Sequence, residues 1–407
     1  MPYLRNPKGR IVCIDKPNEY EKYLNTKGFE KITPEEERDF VMERYKIAEK
    51  VTTRREEVIQ NNFVRGIYLS TVVEGGKDGY GVASDKIVKE LVNLDVDISR
   101  VFKKQLVGLL FHNPYSVLKM ENPFKVIYTM FESTKIPDDW VKYLQSADKV
   151  IVPSRWCRDV FKNSGVNADV IPLGYDDDVY TFKERENKSE KHEPFVFLHY
   201  NAFNVRKGFL EVFKAFTQEF DKSEPVKLVL KTTLNSPPIP IIKDKYPNIE
   251  VICKKYSEKE LVELIHKSDC FVFPSRGEGF GMTPLECMAT GLPAIVPNAH
   301  GISEYFDKEC MYEVKVKEDC PALYHKYKGE DVGKMVICDV KDLRKKMRYI
   351  YEHQDEALEM GKRASRYVRQ WTFRKTAIKL KQMVEELYSK PIEKKALTNV
   401  LQLSEVK

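Results

Sequence analysis

The chain has 407 residues, carries 68 Lys and Arg against 62 Asp and Glu for a net charge of +6, and is 42% apolar. That length suffices for two ordinary domains with full cores, and the charge permits a polyanionic partner without demanding one. No run of about 18 apolar residues occurs, which excludes a membrane-spanning helix. The opening MPYLRNPKGR has no apolar stretch of the kind that directs secretion, so a cytoplasmic protein is expected. The eight cysteines form no C-x-x-C pair and several lie in apolar runs, while the seven histidines show no H-E-x-x-H spacing. Reduced core thiols are expected rather than disulfides or a zinc site.

Residues 1–61 form a charged preface in which Arg10 to Asp15 suits a strand and Pro34 to Gln60 a long charged helix. Nothing in it carries chemistry; it reads as a flank of the first domain or an oligomer contact. From Val64 the pattern changes. Gly66 to Val73 reads as a buried strand, Glu74 to Gly81 as a glycine-rich turn, and Val82 to Leu94 as a helix with apolar spacing at Ile87, Val88 and Leu91. Gly79-Tyr80-Gly81 is followed by Ser84 where a dinucleotide fingerprint wants its third glycine, so the turn alone is a weak sign of a phosphate site.

Strand-like runs at Ile98 to Phe102, Leu106 to Phe111, Lys125 to Met130, Lys149 to Pro153 and Asp169 to Pro172 follow, with helices expected at Asp138 to Ser146 and Arg155 to Ser164. Such alternation predicts a parallel sheet covered by helices. His112 and Glu132 each follow a buried strand, at the sheet edge where ligands gather. Asp176-Asp177-Asp178 could suggest a D-x-D metal site. It stands instead at the crossover into a polar stretch, KERENKSEKHEP, so a hinge is expected and no metal.

A second set begins with the strand Phe195 to Tyr200. Its loop, Asn201 to Gly208, carries Arg206 and Lys207 and leads into the helix Phe209 to Phe220. A cationic pair at a helix start suits a diphosphate. Strands at Val226 to Lys231 and Ile249 to Cys253 precede a loop holding Tyr256 and a helix from Glu258 to His266. The most informative stretch is DCFVFPSRGEGFGMTPLECMATGLPAIVPNAHGISEYF, residues 269–306. It reads as strand (Cys270 to Phe273), glycine loop (Gly277 to Gly281), helix and strand (Ala294 to Val296). Thr283 as N-cap, Pro284 at the first helical position and Glu286 three residues after the cap would form a capping box. The loop N–H groups of Gly279, Phe280, Gly281, Met282 and Thr283 would attract phosphate. The flanking carboxylates Glu278 and Glu286, with seven residues between them, would instead hold hydroxyls of a ribose or sugar. The run from Asp339 to Leu387 is helical and basic, with a bend at Trp371-Thr372-Phe373. Its basic face is expected to be solvated, with peripheral contact to anionic lipid headgroups at the inner membrane face as the other reading.

The Glu278 and Glu286 spacing within PSRGEGFGMTPLECMATGLPAIV resembles the signature of retaining glycosyltransferases of family 4, the group 1 glycosyltransferases, which have the GT-B fold. That resemblance covers roughly residues 64–388. It implies two doubly wound Rossmann-like domains facing a cleft, with the last helix crossing back to the first. The expected boundaries are an extension at 1–61, an acceptor-side domain at 62–178 completed by 371–390, a linker at 179–194, a nucleotide-sugar domain at 195–370 and a tail at 391–407. The resemblance places Glu278 near the transferred sugar, Glu286 on the nucleotide ribose and Lys207 on the donor phosphates. Gly79 and Gly81 approach the diphosphate across the cleft, Tyr256 lies by the base, and Glu132 and His112 face the acceptor or reacting sugar. The family often has an Arg five residues before the Lys; here Ala202 stands there, and Arg206 is the neighbouring cation that could replace it.

The reaction so implied is sugar transfer from a UDP- or GDP-linked donor to an acceptor hydroxyl, with retention and without metal or cofactor. The acceptor stays open among glycan, lipid-linked sugar, protein and modified nucleic acid, and so does the oligomeric state. A nucleotide-sugar 2-epimerase on the same fold and a non-catalytic sugar- or nucleic-acid-binding module are the alternatives.

Overall fold

The computed structural model describes residues 3–13, 24–25, 29–37, 39–40, 43, 64–70, 79–101, 105–189, 193–232, 245–327 and 329–389, which form two separate units. In the first unit, β1 (Tyr3–Arg5) pairs antiparallel with β2 (Ile11–Cys13) and β3 (Glu30–Lys31). Thr33 and Glu36 cap one another at the start of a helical turn, the Glu36 N–H donating to Thr33 Oγ1 at 3.1 Å and the Thr33 N–H to Glu36 Oε2 at 2.8 Å. Most of the long helix expected from Pro34 to Gln60, and the tail after 389, lie outside the described residues.

The second unit is built from short apolar runs too brief for helices, several of them followed by an amphipathic helix. The first sheet comprises β4 (Val64–Ser70), β5 (Ile98–Ser99), β6 (Gln105–Phe111), β7 (Phe124–Tyr128), β8 (Lys149–Val152) and β9 (Asp169–Val170), in the order β5-β4-β6-β7-β8-β9. The registered pairs β4–β5, β6–β7, β7–β8 and β8–β9 are parallel. Helices α1 (Gly79–Asn93), α2 (Trp140–Gln145) and α3 (Arg155–Asn163) cover it. The second sheet comprises β10 (Phe195–Tyr200), β11 (Val226–Thr232), β12 (Ile249–Cys253), β13 (Cys270–Val272), β14 (Ala294–Val296) and β15 (Tyr312–Glu313). It is wholly parallel in the order β12-β11-β10-β13-β14-β15. It carries α4 (Phe209–Glu219), α5 (Glu258–His266) and α6 (Met282–Ala289). Strands buried on both faces, such as β13 and β14, are what a helix-covered parallel sheet requires. No helix among the described residues is long and apolar enough to cross a membrane.

Three features depart from the sequence reading. Gly79 and Gly81 lie in the first turn of α1, not in a turn before it. Helix α6 begins at Met282, so Thr283 is inside the helix and the expected capping box is not formed. An antiparallel hairpin, β16 (Val316–Pro321) with β17 (Lys334–Cys338), follows β15. The charged, mostly exposed VKEDCP run of β16 offers no alternation from which a strand could be read.

Between the sheets the polar stretch expected as a linker is held at several of its described residues. The Lys183 N–H donates to Thr290 O at 3.1 Å, the Arg185 guanidinium to the carbonyls of Thr290 and Ile265, and Lys188 Nζ pairs with Asp269 at 2.8 Å. Asp176, the first of the aspartate triplet, is buried against Lys86 Nζ at 2.8 Å, and Lys86 also reaches Glu258 at 2.6 Å, joining α1 to α5. After α7 (Val340–Glu352) and α8 (Gln354–Tyr367) the chain bends at Trp371. Thr372 then caps α9 (Phe373–Tyr388), which packs on α1 of the first sheet.

The return crossing is tied by Tyr175 N–H to Trp371 O at 3.2 Å and Phe373 N–H to Tyr175 O at 3.0 Å. A Cβ on Gly174 would stand 2.4 Å from the Thr372 carbonyl carbon, a contact only backbone movement relieves. Gly174→Ala is expected to lower unfolding stability by about 1–3 kcal/mol, measured as the shift in denaturant midpoint at unchanged slope.

Candidate active site

In the second sheet the chain order reverses between β10 and β13, and ligands of open parallel sheets bind where strand connections diverge in this way. The loops leaving these two strands build the site. After β10, Asn204 caps a short 3-10 turn, Val205–Lys207, by accepting the Lys207 N–H at 3.1 Å. Gly208 then takes φ of 76° in the left-handed region, and a Cβ there would sit 2.1 Å from Pro274 O. This close approach presses the Arg206-Lys207 pair onto the loop after β13. There the Arg276 N–H donates to Arg206 O at 2.7 Å and Arg206 Nη1 donates to Gly277 O at 2.6 Å.

The result is a buried cluster of charges. Glu278, 6% exposed, accepts from Lys207 Nζ at 2.7 Å and from Ser275 Oγ at 2.6 Å, all at Oε1. Arg206 lies 3.3 Å from the same oxygen and 3.4 Å from Glu132 Oε1, which comes from the loop after β7 of the first sheet. Burial pushes the Glu278 carboxyl up, but Lys207, Arg206 and the hydrogen bonds hold it below the usual range. Burial pulls Lys207 down, Glu278 opposes this, and Arg206 adds to the fall, leaving the amine below its usual value. Arg206 is likewise disfavoured by burial, but Glu132 and Glu278 hold it above its ordinary value. The four expected catalytic groups, Glu132, Arg206, Lys207 and Glu278, are thus brought together from both sheets.

Residues 181–311 match the family model described as glycosyl transferases group 1. That segment is a group 1 glycosyl transferase domain. Over 213 residues the chain is 27% identical to ORF313 of Acidianus filamentous virus 1, named as a candidate glycosyltransferase; the match takes 51% of this chain and 62% of that protein. A shorter match, 56% identical over 36 residues, joins it to the lipopolysaccharide core mannosyltransferase LpsB of Rhizobium meliloti, covering 9% of this chain and 10% of LpsB. The chain thus spans less than two thirds of the length of these curated relatives. Among solved structures, a glycosyltransferase from Rickettsia africae superposes with a TM-score of 0.57 at 14% identity, over 81% of this chain and 100% of that one. HepE of Anabaena, in complex with UDP-glucose, gives 0.57 at 13% identity, over 80% and 99%. The fold is GT-B.

Around the ion cluster the glycosyl transferase loop places its other expected residues. Gly281, with φ of 87°, precedes α6, and no side chain caps that helix start. Gly79 of α1 faces it: its Cβ would lie 3.8 Å from the Met282 methyl, so two helix N-termini meet across the cleft. Gly279 O accepts from Ser154 Oγ at 2.9 Å and Cys157 Sγ at 3.3 Å, tying the loop to α3. Phe280 is buried with its ring 5.4 Å from Tyr305, so it offers a ligand only its backbone. Gly81, within α1, is buried.

Glu286 is bound by the Tyr200 hydroxyl. Asn201 has a buried amide nitrogen with no partner, a donor suited to a ligand. Tyr256 stacks under Lys231 at 4.8 Å and Lys254 at 4.9 Å. His112 directly follows β6, its Nδ1 2.5 Å from Asn113 Nδ2 and its ring 5.0 Å from Tyr80.

Sequence reasoning missed Ser275, Tyr200, His300 and Tyr324. His300 sits after β14 at φ of 53°, buried against Trp156, and Gly301 N–H donates to Glu278 O at 2.8 Å. Burial lowers the imidazole to about 4 despite the Glu278 charge. Its position after a buried strand was the available signal, the one that pointed to Glu132.

Glu286 yields a pH prediction. Burial raises its carboxyl to about 7, the Tyr200 hydrogen bond opposing and the Glu258 charge adding. The ordinary value is 4.5, so between these pH values the folded chain retains a proton that the unfolded chain has lost. The contribution of this site to stability is therefore full below pH 4.5 and falls as pH rises to about 7. Glu286→Gln is expected to flatten that fall by roughly 3 kcal/mol, read from denaturant unfolding of ligand-free protein across the window.

Proposed function

We propose that the chain transfers a sugar from a UDP- or GDP-linked donor to an acceptor hydroxyl, with retention at the anomeric carbon. The observation that carries this reading is the buried Lys207–Glu278–Arg206–Glu132 cluster at the strand switch point, beside the facing starts of α1 and α6. Two cations held in a cleft and two helix N-termini match the charge of a diphosphate. An adjacent ionised carboxylate matches sugar hydroxyls.

In the proposed reaction the donor diphosphate takes over Lys207 and Arg206, and Glu278 is released to accept hydrogen bonds from the sugar. The bond between the anomeric carbon and the diphosphate oxygen breaks as positive charge grows on the ring. The electron pair goes to the diphosphate, where the two cations and the N–H groups from Gly279 to Thr283 stabilise it. The acceptor oxygen attacks from the same face, and its proton passes to the departing phosphate oxygen. Lys207 and Arg206 supply the charge that a metal supplies in other designs. Glu286 and the unpartnered Asn201 amide suit the ribose, Tyr256 the base, and Glu132 and His112 the acceptor side. The UDP-glucose bound to HepE makes uridine the first base to test.

A thermal-shift panel of UDP, GDP, UDP-glucose and GDP-mannose identifies the base. Saturation at about 100 times Kd stabilises by roughly 2.7 kcal/mol, and no shift with any of the four contradicts the reading. Lys207→Ala is expected to lower kcat by about 10²–10³ with the fold retained by circular dichroism; unchanged kcat removes its phosphate role.

A further inference from the structure

The hairpin β16–β17 belongs by chain order to the second sheet, but several of its apolar side chains are buried in the core under the first. Ala322, Val332 and Met335 lie in one cluster with Ile136, Trp140 and Phe161. Its backbone is stitched to the segment after β7. Ser133 Oγ donates to Val332 O at 2.6 Å, the Thr134 N–H to Lys334 O at 3.1 Å, and the Lys334 N–H to Thr134 Oγ1 at 2.8 Å. At its base the Val336 N–H donates to Arg276 O at 2.9 Å, one residue before the site glycine Gly277.

Glu132 is the residue gripped between these attachments. On one side a Cβ at Gly277 would stand 2.2 Å from Glu132 O, so only glycine lets the loop come this close. On the other side the Tyr324 hydroxyl, from the connection between β16 and β17, donates to Glu132 Oε2 at 3.2 Å. Tyr324 is itself packed on Phe131, the rings tilted by 39° with centroids 5.2 Å apart. The other Glu132 oxygen faces Arg206 at 3.4 Å. Each oxygen therefore has one partner, and both partners come from the second-sheet side although Glu132 comes from the first.

We propose that Tyr324 is a positioning residue, which fixes the Glu132 carboxylate against Arg206 so that both are set for the sugar-transfer step. This rests on the sugar-transfer reading above. The hairpin is the strap that carries Tyr324 across the cleft, while Tyr327 on the same turn packs its ring 5.9 Å from Phe131 and hydrogen-bonds Tyr115 and Trp140.

The test compares wild-type protein with Tyr324→Phe and Tyr327→Phe, using release of nucleoside diphosphate from UDP-glucose and GDP-mannose and calorimetric binding of free UDP and GDP. Tyr324→Phe keeps the ring and loses only the hydroxyl. The expected result is a fall in kcat of about tenfold, with donor KM and nucleoside diphosphate affinity within about twofold of wild type and an unchanged melting temperature. Tyr327→Phe is expected to match wild type in kcat. An unchanged kcat in Tyr324→Phe overturns the positioning role alone. So does a loss of nucleotide affinity or melting temperature equal to the loss of rate, or an equal loss in Tyr327→Phe. Wild-type protein that binds nucleotide yet releases none from either donor overturns the transfer reading, and the positioning role with it.

Discussion

Two cations buried in a cleft without a bound anion would be costly, because each loses its water and each repels the other. Glu278 removes that cost: its carboxylate stands 2.7 Å from Lys207 and 3.3 Å from Arg206, and Ser275 adds a third donor. The ion cluster is thus neutralised from within, and loops from both sheets hold it. In the sugar-transfer reading proposed above, an entering diphosphate takes the two cations over from Glu278 and so competes with a carboxylate that stays in the cleft. That exchange would free Glu278 to meet the sugar, coupling phosphate binding to sugar contact through a single side chain.

The architecture explains why these groups meet. Parallel sheets put every strand-to-helix loop on one edge, and the switch between β10 and β13 opens a crevice there. The Arg206-Lys207 loop and the Ser275–Gly281 loop are neighbours for that reason. The first sheet supplies Glu132 from the matching edge, and α9 and the hairpin hold the two sheets in register. Lys86 between Asp176 and Glu258, and Ser154 on Gly279 O, add further ties across the cleft. The walls of the cleft are thus already joined in this structure.

Much of this was legible in the chain. Largely apolar runs of five to seven residues marked β6, β7, β10 and β11, because a strand buried on both faces carries few polar positions to obscure it. Lys207, Arg206 and Glu278 were legible because charge in a loop between a buried strand and a helix has few structural uses. The start of α6 was misread: Thr283 and Glu286 have the spacing of a capping box, but the left-handed Gly281 begins the helix earlier and Tyr200, 86 residues away in sequence, claims the carboxylate. Local pattern cannot register such a distant partner. The hairpin was hidden for a related reason. Its β16 strand is polar and exposed, and its apolar residues at Ala322, Val332 and Met335 belong to a core assembled from elsewhere in the chain. Tyr324, whose hydroxyl reaches Glu132 across 192 residues, shares that fate.

The most direct measurement of the central claim is calorimetric titration of wild-type protein and Glu278→Gln with UDP and GDP. A carboxylate that occupies the cations in the resting site competes with an incoming diphosphate, whereas a neutral amide does not. Free nucleoside diphosphate has no sugar to lose contact with Glu278. The account therefore predicts that Glu278→Gln binds the preferred nucleotide about tenfold more tightly, equivalent to roughly 1.4 kcal/mol. Unchanged or weaker binding by the variant would contradict it.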